Sequence, residues 1–294
     1  MTVGIWELTS LVTKWLGLLA VAGVVGGSFV TTLAHKLRFP VQPALRIYLQ
    51  ASAVLGLLAT PLYFLLQVGA VNQNGVAGMF DPVIGSILLQ SGLGQVMGLR
   101  MLGFVLVLGW LLQAAAVHVR QRAELVAFAS SALLLCASFV MTGHISTLNA
   151  GARGLLALHV LAVMLWIGAL YPLLLFSRRP ERVQVQKLMR IFGTLALGIV
   201  AGLLLSGLYL VAQVLQTPSE LWSTPYGRTL LLKLTGVCAL LLFAAVNKLV
   251  LVPKLLLADT RAALRRSIGM ELGVALVVLA VTSWLTTVTG PAGL

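Results

Sequence analysis

Charge is what this sequence lacks most. Of its 294 residues only 9% are Asp, Glu, Lys or Arg, and just 7 are acidic. A soluble domain carries roughly a quarter charged residues. With 60% hydrophobic residues there is not enough polar surface to clothe a water-soluble body. Cysteine is scarce too. Cys136 and Cys238 both fall within apolar runs, which is no disulfide framework. There is no Walker A sequence, no phosphorylation-type Asp motif and no metal-binding Cys-x-x-Cys, so neither an ATP-driven pump nor a soluble-enzyme site is indicated. An enzyme is less expected than a transporter or metal-binding membrane protein.

What is present is apolar length. A transmembrane helix needs about 20 mostly apolar residues, and eight stretches qualify: 11–34, 45–70, 96–117, 124–142, 154–176, 189–215, 228–251 and 269–289. Backbone polar groups in lipid must be satisfied within the chain, so the expected fold is an all-α polytopic bundle. The first stretch is interrupted upstream by Glu7, is long, and is followed by basic residues, so it reads as a retained span rather than a cleaved leader.

The net charge of +13 is that of a membrane protein, not a nucleic-acid binder. Fifteen of the 20 basic residues fall in alternate loops: Lys36, Arg38 and Arg46; Arg120 and Arg122; Arg178, Arg179, Arg182, Lys187 and Arg190; Lys248, Lys254, Arg261, Arg265 and Arg266. These loops should be cytoplasmic, which puts both termini in the periplasm of a bacterial inner membrane. On the outer side, Asp81-Pro82 is a helix-start signal within an interfacial segment, 79–94.

The halves resemble each other. Glu124-Leu125 and Glu271-Leu272 open spans 4 and 8, and Thr142-Gly143 and Thr289-Gly290 close them. Tyr63 and Gln67 match Tyr209 and Gln213, and Arg100 and Lys233 each stand six residues after a glycine. Four spans per unit give parallel repeats, 1–147 and 148–294. His144 and His159 have no counterparts in the repeat. Met97, Met101 and Met141 gather toward the outer ends of spans 3 and 4, with Met79 in the outer loop. Thioether and imidazole together suit Cu(I), so the candidate metal set is His144, His159, Met141, Met97 and Met101. Glu124 and Glu271 are expected near cytoplasmic helix N-termini, where a carboxylate is stabilised.

Three stretches carry a family resemblance: Thr142-Gly143-His144; Leu158-His159 through Trp166-Ile167-Gly168; and Thr224-Pro225-Tyr226-Gly227-Arg228 running to Lys233, with Asn247 and Pro253 beyond. Together they resemble the copper resistance D family of bacterial inner-membrane proteins. The resemblance implies copper transport or handling, emphasis on His144 and His159, and a separate periplasmic partner of the copper resistance C type. Copper would enter past the methionines and pass inward along the junction of the repeats. The His-x6-Trp-x-Gly pattern of span 5 also looks like the first span of HemJ-type protoporphyrinogen oxidases. That likeness implies haem b, with His159 as axial ligand and Arg228 or Lys233 beside the propionates. A third reading is a non-catalytic membrane assembly partner.

Overall fold

The structure is a computed structural model describing residues 4–40, 43–113, 121–142, 149–215, 217–257 and 260–289. His118 and His144 lie outside the described residues. Among the described residues eight helices are long and apolar enough to cross a membrane. Their cores are α1 (Ile5–Lys36), α2 (Pro43–Asn72), α4 (Gly92–Gln113), α5 (Gln121–Ala137), α6 (Ala150–Phe176), α7 (Arg182–Val214), α9 (Pro225–Val246) and α10 (Thr260–Thr287). No strand occurs among the described residues. Two short helices, α3 (Pro82–Gln90) and α8 (Glu220–Ser223), lie in the connections.

Local chemistry fixes several starts. Asp81 caps α3, its carboxylate accepting from the backbone N–H groups of Val83 and Ile84 at 2.9 Å each. Asn149 caps α6 by accepting from Ala152 N–H at 2.9 Å. Thr224 caps α9, with Pro225 following, by accepting from Gly227 N–H at 2.9 Å. α9 continues into a π-helical turn, Asn247–Leu251.

The start of α1 and the end of α10 lie on one face. Lys14 donates to the Thr286 carbonyl at 3.1 Å and Ser283 to the Leu11 carbonyl at 2.8 Å, which joins the start of α1 to the end of α10. We refer to this as the terminal face and to the opposite side as the basic face. α1 is the central and most buried span, packed against α2, α6 and α10.

In the first half α1, α2, α4 and α5 form a closed bundle. Arg46 donates to the Leu111 carbonyl at 2.6 Å and Ser131 to the Gly103 carbonyl at 2.8 Å. Gly56 leaves the space that the Phe104 ring fills. On the basic face, His35 on α1 meets Glu124 in the first turn of α5 at 3.1 Å. In the second half α6 packs on α7, and α9 on α10, with α10 returning to α6. By contrast with α2 and α4, α7 and α9 are not packed along their apolar lengths. Among the described residues the hydrogen bonds between them lie near the basic face, where Lys248 donates to the Gly193 carbonyl at 2.7 Å and Gln186 to the Val252 and Pro253 carbonyls at 2.9 and 3.0 Å.

The halves meet at α1 and α6. A Cβ on Gly168 would lie 1.7 Å from the Ala22 carbonyl oxygen, and one on Gly26 would lie 2.3 Å from the Gly168 carbonyl carbon. Backbone meets backbone here, which only glycine allows. Where α1 crosses α6 the two backbones touch and leave no passage between them.

Candidate functional site

His159 sits in the terminal-face half of α6 and turns toward α7. Its Nδ1 stands 3.3 Å from both the Leu203 carbonyl and Ser206 Oγ. Ser206 is itself committed to the Gly202 carbonyl at 2.5 Å. The carbonyl of Leu203 can only accept, so Nδ1 carries the proton and donates to it. Nε2 is left with its lone pair and has no hydrogen-bond partner among the described residues. An imidazole held through one nitrogen and free at the other is the arrangement of a metal-ligating histidine. Gly207 makes this possible, because a Cβ there would stand 3.1 Å from His159 Cε1. Sequence pattern did not single out Gly207, whose contact with the ring is made only in the fold.

Lys233 on α9 lies within electrostatic range of His159. It has no hydrogen-bond acceptor and no carboxylate among the described residues, where the ion pairs are His35–Glu124 and Arg179–Glu181. Arg228 is exposed at the start of α9.

Toward the basic face, three helices converge on Glu271. Trp166 Nε1–H on α6 donates to it at 3.2 Å and Asn247 Nδ2–H at the end of α9 donates at 2.9 Å. Glu271 is buried at 3% exposure. It lies well past the start of α10 at Thr260, so the helix N-terminus expected to stabilise it is not what holds it. Neutral side-chain donors from two other spans do so. Glu124, by contrast, does occupy a first turn.

The sulfur residues are arranged differently. Met97 and Met101 are half-buried on α4, and Met141 follows the short 3-10 turn Ser138–Val140, with its carbonyl beside Gly92. Met79 packs over Gly69 on α2 together with Trp6. Cys136 opens not toward His159 but into a groove of about 610 Å³ between α5 and α6, lined also by Val140, Arg153, Leu158 and Leu161. His159 thus belongs to the α6–α7 side and Cys136 to the opposite side of α6. Met164 and Met189 are buried packing residues. No group of three His, Cys, Asp or Glu side chains able to hold a metal occurs among the described residues. A ligand set built on His159 must therefore draw on thioethers, on residues outside those described, or on a partner.

Two family models match the chain. One, described as "Copper resistance protein D-like, N-terminal domain", matches residues 6–155. The other, "Copper resistance protein D", matches residues 186–285. Among curated proteins, the chain is 29% identical over 231 residues to the inner membrane protein YebZ of Escherichia coli (strain K12), covering 73% of each chain. No solved structure matches.

Proposed function

We propose, from the premise that this chain belongs to the copper resistance protein D family, that it binds Cu(I) on its periplasmic side with His159 as the imidazole ligand. Family membership gives it a copper-resistance-related membrane function, and it is a multi-pass protein of the bacterial inner membrane. The observation that carries the finer reading is His159 itself, anchored through Nδ1 at 3.3 Å from Leu203 and Ser206, with Nε2 free. The basic loops face the cytoplasm, which places the terminal face, and His159 with it, toward the periplasm. Met97, Met101 and Met141 supply soft sulfur on the same face, and His144 is the remaining imidazole. Copper then arrives from a periplasmic donor of the copper resistance C type. It moves along the α7–α9 seam rather than through the closed α1–α6 crossing. The two halves are read as parallel repeats, 1–147 and 148–294. The packing of α6 on α7, α9 on α10 and α10 on α6 matches three of the four helix pairings of the first bundle and supports that reading.

The test is Cu(I) titration of the purified protein against a colorimetric chelator. One tight site should appear in the wild type and weaken at least tenfold in His159→Ala. Equal affinity in both would remove His159 from the site.

One observation favours a second reading, haem b. A lysine ammonium without an acceptor among the described residues, within electrostatic range of the imidazole, repels a bare cation, yet it suits a propionate. Haem binding would give a red preparation whose Soret band disappears in His159→Ala, whereas a colourless protein with bound copper excludes it.

A further inference from the structure

The carboxyl group of Glu271 is buried and has no cationic partner among the described residues. Trp166 Nε1–H and Asn247 Nδ2–H donate to its two oxygens at 3.2 and 2.9 Å, and both donors are neutral. An ionised carboxylate accepts at about four sites, so about two remain. Among the described residues the ion pairs are His35–Glu124 and Arg179–Glu181, and neither reaches it. Charges on the surrounding elements are engaged elsewhere or face outward. Lys248, next to Asn247, donates to the Gly193 carbonyl on α7 at 2.7 Å. Arg265 and Arg266 on α10 are exposed. Residues 18–34 of α1 and 160–176 of α6 carry no charged side chain.

Two further oxygens at this level are buried without a hydrogen-bond partner, Asn247 Oδ1 and Ser267 Oγ. Asn247 Oδ1 belongs to the amide whose nitrogen holds Glu271. Asn247 also opens the π-helical turn Asn247–Leu251, and such turns recur at functional sites. Ser267 is 5% exposed and stands four residues before Glu271, one turn nearer the basic face. Residues at that spacing share a helix face, with about 5–6 Å between their Cβ atoms. That face is the one α10 turns to α9. Val278, seven residues after Glu271, meets Gly236 there, where a Cβ would lie 2.6 Å from Val278 Cγ2. α10 packs on the π turn as well as on α9. A carboxylate, an amide carbonyl and a hydroxyl are thus gathered where α10 meets the end of α9. A buried charge without a partner is unfavourable inside a span. A proton on Glu271 would neutralise it, yet leave the other two oxygens unmet. An oxygen-ligated cation answers all three.

We propose that Glu271, Asn247 and Ser267 form a binding site for a sodium ion at the contact of α9 and α10, with water filling the rest of the ion's shell. Oxygen ligands suit a hard cation, and none of the three groups is the sulfur or imidazole that Cu(I) prefers. One carboxylate balances one positive charge, which favours a monovalent ion over calcium or magnesium. The site is separate from His159 and stands or falls independently of copper binding.

The experiment uses full-length protein in an uncharged detergent and sodium-free, copper-free buffer, and reads thermal unfolding by tryptophan fluorescence. Sodium, potassium and choline chlorides are compared at matched ionic strength. Sodium raises the unfolding midpoint of the wild type saturably, potassium does so less and choline not at all. Glu271→Gln abolishes the sodium response, Ser267→Ala and Asn247→Ala each weaken the apparent affinity several-fold, and Glu7→Gln leaves it intact. Ser267→Ala removes only an unpaired hydroxyl, so in choline it is no less stable than the wild type, and its deficit appears only in sodium. If Glu271→Gln does not fold, Ser267→Ala decides. Equal midpoints in the three salts, or a sodium response unchanged in Glu271→Gln or Ser267→Ala, overturns the proposal. Stabilisation by acid with no response to sodium assigns a protonated carboxyl instead and overturns it too.

Discussion

Replacing Gly168 with alanine forces α1 and α6 apart, and the structure sets the scale. The new Cβ would lie 1.7 Å from the Ala22 oxygen and 3.0 Å from Gly26 Cα. An ordinary carbon-to-oxygen approach is about 3.3 Å, so the helices must separate by roughly 1.6 Å at the crossing. A gap of even half that forfeits a quarter to a half of each dispersion contact across it. Val21, Val24, Val25, Ala169 and Leu170 are all essentially sealed here and would all feel it. The hydrogen bond from Tyr48 Oη–H to the Gly168 carbonyl, 3.3 Å long, would move as well. Overpacking a tight core costs about 1–3 kcal/mol. With backbone on both sides and no flexible side chain to yield, Gly168→Ala should reach about 3 kcal/mol. The assay is unfolding in mixed micelles with rising dodecyl sulfate, followed by loss of helical circular dichroism. Gly198→Ala and Gly202→Ala are the controls, because nothing lies within 4 Å of either Cβ position. They should be neutral, or stabilising by up to about 1 kcal/mol from helix propensity. A loss under about 1 kcal/mol at Gly168, or one no larger than in the controls, would refute the close crossing.

Gly207→Val should disable the His159 site without removing the imidazole, since Cβ stands 3.1 Å from Cε1 and the added methyls displace the ring; Cu(I) titration should then show a loss similar to His159→Ala in a folded protein. Glu271→Ala should destabilise by about 2–6 kcal/mol, because the Trp166 and Asn247 N–H donors are each left buried and unpaired at about 1–3 kcal/mol apiece. Glu271→Gln keeps an acceptor and should cost less in the same unfolding assay. Gly56→Ala should be strongly destabilising, since its Cβ would fall 2.2 Å from the Phe104 ring.

Much of the architecture was legible because a bilayer makes hydropathy a direct reporter of structure. All eight spans were found, although several helices run beyond the apolar stretch: α1 starts at Ile5 rather than near residue 11, and α10 at Thr260 rather than near 269. Their polar first turns lie outside hydrocarbon and leave no trace in an apolar window. The same extension misplaced Glu271, which is more than a third of the way along α10 rather than at its start. The Asp81-Pro82 signal marked the start of α3 because capping is a local interaction. Packing between distant spans was not legible. Nothing in the sequence near Gly168 tells that its partners are Ala22 and Gly26, or that Leu203, Ser206 and Gly207 surround His159. A histidine inside a span was a sound pointer to a polar environment, but which nitrogen it holds free is set by α7. The methionine spacing on α4 put two thioethers near one face without revealing that Arg100 on the same helix turns to Ser138 and Phe139.

The central claim is that His159 is a metal-ligating imidazole in a copper resistance D protein. Purified protein, loaded with Cu(I) and washed, should be analysed for copper by elemental analysis with its absorption spectrum recorded alongside, for wild type and His159→Ala. The account predicts bound copper and no Soret band in the wild type, with copper largely lost in the variant. Copper retained unchanged by His159→Ala, or a wild type that binds none, would contradict it.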